Sequence, residues 1–261
     1  MSEPVLSVRG LVKRFGGLTA VRNVDLDVAA GEVVALLGDN GAGKSTLIKC
    51  VSGVHRAEEG EIFFAGKKTA FGKPIDARTA GIETIYQDLA LANNLDVPSN
   101  IFLGREVKHR YLGGLIKTLD NRTMLRESRG SLATLDIQFP TLTQPIESLS
   151  GGQRQAVAIA RAVYWKAQLM IMDEPTNNLG VPEQQKVLEL IRKLRDQGTP
   201  VILITHTMPD VFAVADRVVV MHRGRKVTEK RTADTSTEEL VQYMVGARDD
   251  YRAAASVAGA A

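Results

Sequence analysis

The residues best suited to chemistry fall into two clusters. Gly38-Asp39-Asn40-Gly41-Ala42-Gly43-Lys44-Ser45, followed by Thr46, has the spacing G-x-x-x-x-G-K-[ST]. Its glycines let successive backbone N–H groups turn inward around phosphate oxygens, at the positive end of a helix that starts near Lys44. Lys44 is placed to bridge the β- and γ-phosphates of a nucleotide, and Ser45 offers a hydroxyl to Mg2+. The second cluster, Asp173-Glu174, ends the apolar run Leu169-Met170-Ile171-Met172. One carboxylate there can hold the metal, directly or through water, while its neighbour polarises an attacking water. Phosphoryl transfer needs little covalent help, so positioning and charge neutralisation carry most of the rate.

A third segment, Leu149-Ser150-Gly151-Gly152-Gln153, lies between these two. Ser150 is a natural N-cap for a helix over Gln153 to Tyr164, and Gly151-Gly152 leave the first amides uncovered. The result is an anion site, although the first loop already holds the same chain's nucleotide. Alone, the pentapeptide favours a Gly-rich helix start without a ligand, and only its placement about twenty residues before Asp173-Glu174 overturns that.

Together the three segments resemble the ATP-binding cassette family, from about Leu6 to about Gly246. The resemblance implies ATP and Mg2+ as bound groups. It implies a head-to-tail dimer, of identical or paralogous cassettes, in which Ser150, Gly151, Gly152 and Gln153 of each chain cap the γ-phosphate held by the other. Three single residues acquire roles the same way. Gln87 is similar to the residue that senses Mg2+ and the attacking water, and His206 to the γ-phosphate sensor. Phe15, in Arg14-Phe15-Gly16-Gly17, is similar to the aromatic that stacks on adenine. The expected metal set is then Ser45, Gln87 and Asp173, and the catalytic set Lys44, Gln87, Glu174 and His206. His55, His109, His222 and Trp165 receive no role.

One departure stands out. Where the family usually reads Pro-Thr-x-x-Leu-Asp, this chain has Pro175-Thr176-Asn177-Asn178-Leu179-Gly180. The absent carboxylate normally helps couple the two sites across the dimer.

The runs Ala80 to Leu89 and Asn100 to Glu106 are similar to monosaccharide importers of the ribose, xylose and fructose type. Gly38-Asp39-Asn40-Gly41 and Leu179-Gly180 point the same way. The resemblance implies ATP-driven uptake through a separate permease, with an extracytoplasmic solute-binding protein, at the cytoplasmic face of the membrane. Branched-chain amino acid importers compete, through Phe15-Gly16-Gly17-Leu18, although they usually carry Pro at the position of Asp39. A non-transport cassette acting on ribosomes or DNA is a further alternative, but the second cassette or long coiled-coil insert typical of those is missing. A GTP-dependent switch lacks the Asn-Lys-x-Asp run.

These residues need a parallel α/β sheet to hold them. Val33 to Leu37, Leu169 to Met172 and Val201 to Ile204 are apolar runs of the buried parallel type, each ending in polar residues. Val5 to Val8, Val24 to Val28 and Gly60 to Phe64 predict a small antiparallel sheet beside that core. A single cassette domain over 4–246 is expected, with core segments 1–87 and 148–230 and a mainly helical insert over 88–147. Gly113-Gly114 and Pro140 to Pro145 are its irregular joints. Helices are predicted over Pro182 to Asp196, before Gly198, and at the C-terminus (231–250) behind the capping box Ser236 to Glu239. The Ala-rich tail 251–261 carries no motif and is expected to be disordered.

Composition agrees with one α/β domain. The 261 residues are 44% hydrophobic and 24% charged, with a formal net charge of +3. That balance gives no case for a nucleic-acid binder, although a basic patch can hide in such an average. The single cysteine, Cys50, excludes an internal disulfide and is expected to be a buried, inert thiol. No apolar run reaches the roughly 18–20 residues of a membrane helix, and the N-terminus lacks signal-peptide character. A cytosolic chain that meets the membrane through a partner is the expectation. No internal repeat is evident.

Overall fold

A computed structural model describes residues 3–111, 116–133, 139–177 and 179–251. The chain divides into two compact units. The first takes the described residues within Met1–Thr84, Gln168–Pro175 and Leu188–Ala261, and the second those within Ile85–Ala167 and Thr176–Val187.

In chain order the elements before the second unit are β1 (Leu6–Phe15), β2 (Leu18–Val28), β3 (Val33–Leu37), α1 (Lys44–Val51), β4 (Glu59–Phe64), β5 (Lys67–Thr69), α2 (Pro74–Ala80) and β6 (Ile82–Ile85). The second unit adds α3 (Val97–Ile101), β7 (Lys108–Tyr111), β8 (Ile116–Leu119), α4 (Asn121–Ala133) and α5 (Gly151–Tyr164). Then follow β9 (Leu169–Asp173), α6 (Val181–Asp196), β10 (Val201–Ile204), α7 (Met208–Val214), β11 (Arg217–His222), β12 (Arg225–Arg231) and α8 (Thr237–Met244).

Six strands form the main sheet in the order β12-β11-β3-β10-β9-β6. β3 runs parallel to both β10 and β11, and β10 runs parallel to β9. All five side chains of β3 and all four of β10 are buried, as central parallel strands covered on both faces require. Each such Val, Leu or Ile contributes about 1.5–3 kcal/mol by leaving water, so the sheet centre is the least deformable part of the unit. The predicted antiparallel sheet is present as β2-β1-β4-β5, longer than the sequence suggests because β1 and β2 pair from Leu6↔Val28 to Phe15↔Leu18. Register shifts along β1 accommodate that length.

The stretch 88–147, read as mainly helical, also contains a hairpin: β7 and β8 pair from Lys108↔Leu119 to Tyr111↔Ile116. Its strands are short and mostly polar, so they lack the apolar alternation by which strands are recognised. The expected joint at Gly113-Gly114 falls outside the described residues. The C-terminal helix is shorter than 231–250, spanning Thr237–Met244, and β12 takes up Arg231. The tail beyond Tyr251 also lies outside the described residues.

Within the second unit, α5 is buried from Gln155 to Ala162, where alanines let its neighbours approach closely. Trp165, which has no expected role, ends that helix. Its indole N–H donates to the Ile101 carbonyl at 3.1 Å, its ring meets Phe102 and Tyr164 edge-on, and the Arg105 guanidinium lies 4.7 Å over it. Asn100 is fully buried: its Oδ1 accepts from the Ala92 amide, and its Nδ2 donates to the Ala92 and Asp96 carbonyls. Part of the run similar to monosaccharide importers therefore clamps a loop.

Candidate nucleotide site

The topology brings three strand ends side by side. Ile204, the last residue of β10, stands opposite Leu36 of β3 and Asp173 of β9. The glycine loop after β3, His206 after β10 and Asp173-Glu174 at the end of β9 thus share one edge of the first unit.

Gly43 is the N-cap of α1, with φ 102°, a left-handed conformation that side-chain-bearing residues rarely adopt. A Cβ there would lie 2.4 Å from the Ala20 carbonyl oxygen, so the residue must be glycine on two counts. Lys44 folds its ammonium onto the Gly38 carbonyl at 2.7 Å and the Asp39 carbonyl at 3.2 Å. Burial holds the Lys44 pKa below the ordinary lysine value, against the opposing pull of Glu174, Asp173 and Asp39. A partly desolvated cation among carbonyls gains when a phosphate replaces them.

A cleft of about 510 Å³ opens beside the loop, lined by Asn40 through Thr46 and by Phe15. The Phe15 ring is 45% exposed, with Lys13 Nζ 5.1 Å from its centroid and the His55 ring edge-on at 5.2 Å. His55, which has no expected role, packs against this aromatic. The sequence also missed Leu18, Thr19, Ala20 and Arg22 of the β2 wall and Arg223-Gly224 of the β11–β12 turn. That turn is tied to the loop: the Gly224 amide donates to Ala42 and the Arg22 amide donates to Gly224. The available signal was the apolar run Val218 to Met221 followed by Arg223-Gly224, a strand and turn. His222 likewise has a structural partner, its Nδ1 lying 2.9 Å from the Met244 carbonyl at the end of α8. His109, on β7, meets the Asp120 carboxylate at 3.0 Å.

On the carboxylate side, Glu174 Oε1 lies 2.7 Å from His206 Nδ1. The other oxygen, Oε2, is buried and has no hydrogen-bond partner among the described residues. Glu174 itself has φ 51°, a conformation costing a non-glycine residue about 1–3 kcal/mol, and its amide is held by the Ile204 carbonyl at 2.8 Å. Burial, and then the neighbouring Glu174 charge, push the Asp173 pKa above the usual aspartate range, with Lys44 and Lys49 opposing. Such a carboxylate is poorly neutralised and suited to a cation. Among the described residues no group of three or more His, Cys, Asp or Glu could hold a metal alone. Asp173 and Ser45 each carry the kind of oxygen donor that Mg2+ prefers, a cation that keeps several waters and binds alongside substrate phosphates.

The remaining expected site residues lie in the second unit. Gln87 is exposed in a turn after β6, where Leu89 and Ala90 adopt positive φ. Ser150 caps α5 as predicted: its Oγ accepts from the Gln153 amide at 3.2 Å, and Gln153 Oε1 accepts from the Ser150 amide at 3.0 Å. No acceptor among the described residues meets the Gly151 and Gly152 amides. They are free to bind an anion.

A glycine loop ending a central parallel strand, with an acidic strand end two strands away, defines a phosphate-loop nucleotide hydrolase. Residues 21–177 match the ABC transporter family model, and the chain belongs to that family as an ATP-binding, ATP-hydrolysing cassette. It is 48% identical over 240 residues to the xylose/arabinose import ATP-binding protein XylG of Sulfolobus acidocaldarius, covering 92% of this chain and 93% of that one. It is 46% identical over 254 residues to the fructose import ATP-binding protein FrcA of Rhizobium meliloti, covering 97% and 98%. Among solved structures it is similar to the ADP conformation of MJ1267, an ATP-binding cassette of an ABC transporter, with a TM-score of 0.77 at 25% identity, covering 94% of this chain and 96% of that one.

Proposed function

We propose that this chain is the ATP-hydrolysing subunit of an importer for a monosaccharide, working beneath a separate permease at the cytoplasmic face of the membrane. The observation that carries the cargo is the end-to-end likeness to XylG and FrcA, both named for sugar import. A membrane association through the permease is consistent with the absence, among the described residues, of any helix long and apolar enough to cross a membrane. An extracytoplasmic binding protein delivers the sugar.

In this reading adenine stacks on Phe15, and the amides from Asn40 to Thr46 receive the phosphates, with Gly38 and Asp39 shaping the loop. Lys44 leaves the Gly38 and Asp39 carbonyls to bridge the β- and γ-phosphates. Ser45 and Asp173 would hold Mg2+, which would neutralise charge building on the phosphate oxygens. Glu174 Oε2 takes a proton from the attacking water as its oxygen bonds to the γ-phosphorus and the bond to the β-phosphate oxygen breaks. His206 fixes the other Glu174 oxygen and faces the γ-phosphate. Ser150, Gly151, Gly152 and Gln153 of a second cassette close the site from above, and the permease docks near Gln87 to Arg105.

A deletion strain tests the cargo. Loss of uptake of one of fructose, ribose or xylose, with leucine, isoleucine and valine uptake intact, is the expected result. The converse pattern overturns the sugar assignment.

A further inference from the structure

Two glycines of the second unit face one side chain. A Cβ at Gly152, in the first turn of α5, would lie 2.6 Å from Glu183 Cγ and 3.2 Å from Glu183 Cβ. One at Gly180 would lie 2.7 Å from Glu183 Oε2. Non-bonded carbon atoms settle about 3.5–4.0 Å apart, so a side chain at Gly152 would run into the Glu183 stem, whereas one at Gly180 would have to displace the Glu183 carboxylate. Neither glycine has a positive φ, and the requirement is therefore room, not backbone freedom.

Glu183 stands at the third position of α6, whose first turn closes through the Gln184 amide on the Gly180 carbonyl at 2.9 Å. A glutamate there ordinarily reaches back to the cap amide. Here its carboxylate has no hydrogen-bond or ion-pair partner among the described residues, and its stem lies against Gly152 instead. A half-buried carboxylate without a partner, at the start of two helices, is positioned for something other than capping.

We propose that Glu183 supplies from α6 the carboxylate that the Leu179-Gly180 segment lacks, and that it is a positioning residue fastening the Ser150–Gln153 turn to that segment. The proposal rests on the cassette reading above. Closure of a second chain on Ser150–Gln153 is then transmitted through the Glu183 stem to Leu179-Gly180. Gly at 180 and Glu at 183 are two halves of one arrangement, because the Glu183 carboxylate lies where a side chain at 180 would begin.

The test compares steady-state ATPase and the KM for ATP in the full chain with its permease. Glu183→Gln, which keeps the volume and removes the charge, should lower kcat about tenfold with KM changed less than about twofold. Glu183→Ala should do the same, and Gly180→Asp placed in that background should restore kcat to within about threefold of the parent. Gly180→Asp alone should be slow. Melting temperature is followed for each variant, and a folded Glu183→Gln chain turning over at the parental rate overturns the proposal. So does a double variant no faster than Glu183→Ala. If the parental chain itself hydrolyses no ATP, the cassette reading falls first and this proposal falls with it.

Discussion

His206 Nδ1 and Glu174 Oε1, 2.7 Å apart, divide the labour of one carboxylate. The engaged oxygen fixes the orientation of the group, and the buried Oε2 is left without a partner among the described residues. A buried acceptor normally finds a donor, and one left open at a strained backbone position marks a place for a water or substrate.

Removing that acceptor should separate binding from turnover. Glu174→Gln is expected to lower kcat by about 10²–10⁴-fold, while ATP still binds and a closed dimer accumulates. Gel filtration of the variant with ATP and Mg2+ checks the second half. His206→Ala should also slow turnover by releasing Glu174 Oε1. Parental turnover in Glu174→Gln would remove it as the base.

Phe15 lines the cleft, and Lys13 and His55 pack against its ring. Phe15→Ala should raise the KM for ATP roughly tenfold, from the loss of about 1–3 kcal/mol of base stacking. Because the ring is remote from the breaking bond, kcat at saturating ATP should stay within about twofold. A selective fall in kcat would place Phe15 elsewhere in the mechanism.

Gly43 carries a purely steric prediction. Gly43→Ala puts a Cβ into the Ala20 carbonyl and a side chain at φ 102°. It should cost at least about 1–3 kcal/mol of stability and abolish ATP binding. Thermal melting and nucleotide titration on the same sample measure both. A stable variant that still binds would show that the loop can rebuild around the methyl group.

The parts of this site that the sequence revealed are those written in short, fixed spacings. The glycine loop, the acidic end of β9 and the Ser150 cap each depend on a few consecutive residues, and local geometry is enough to recognise them. Arg22 and Arg223 were invisible because they meet at the cleft only where the β11–β12 turn folds back against β2, a relationship with no local spacing. Trp165 failed for the same reason, since its partners Ile101 and Phe102 come from a distant helix. The β7–β8 hairpin was lost because its outward-facing polar residues leave no period to detect. In the fold, the buried parallel strands β3, β9 and β10 were plain from unbroken apolar runs, whereas the length of β1 and β2 was not, because register shifts interrupt their alternation.

Asp173 should be destabilising in the free protein, for a reason opposite to its use. Its pKa in the fold is raised above the ordinary 3.8 by burial and then by Glu174. The folded chain therefore holds that proton more tightly than the unfolded chain. The associated stability is fully present below the ordinary value and is lost as pH rises through the raised one. At neutral pH the ionised carboxylate is a net cost to the nucleotide-free fold. Asp173→Asn should accordingly raise the melting temperature at pH 7 and give a shrinking gain as pH is lowered toward about 4. The same variant should lose magnesium-dependent turnover, since the carboxylate that strains the free chain is the one a cation would neutralise. Melting curves across that range, without nucleotide, decide the matter. A variant that melts lower than the parent at pH 7 would mean that Asp173 is already neutralised by Lys44 and Lys49.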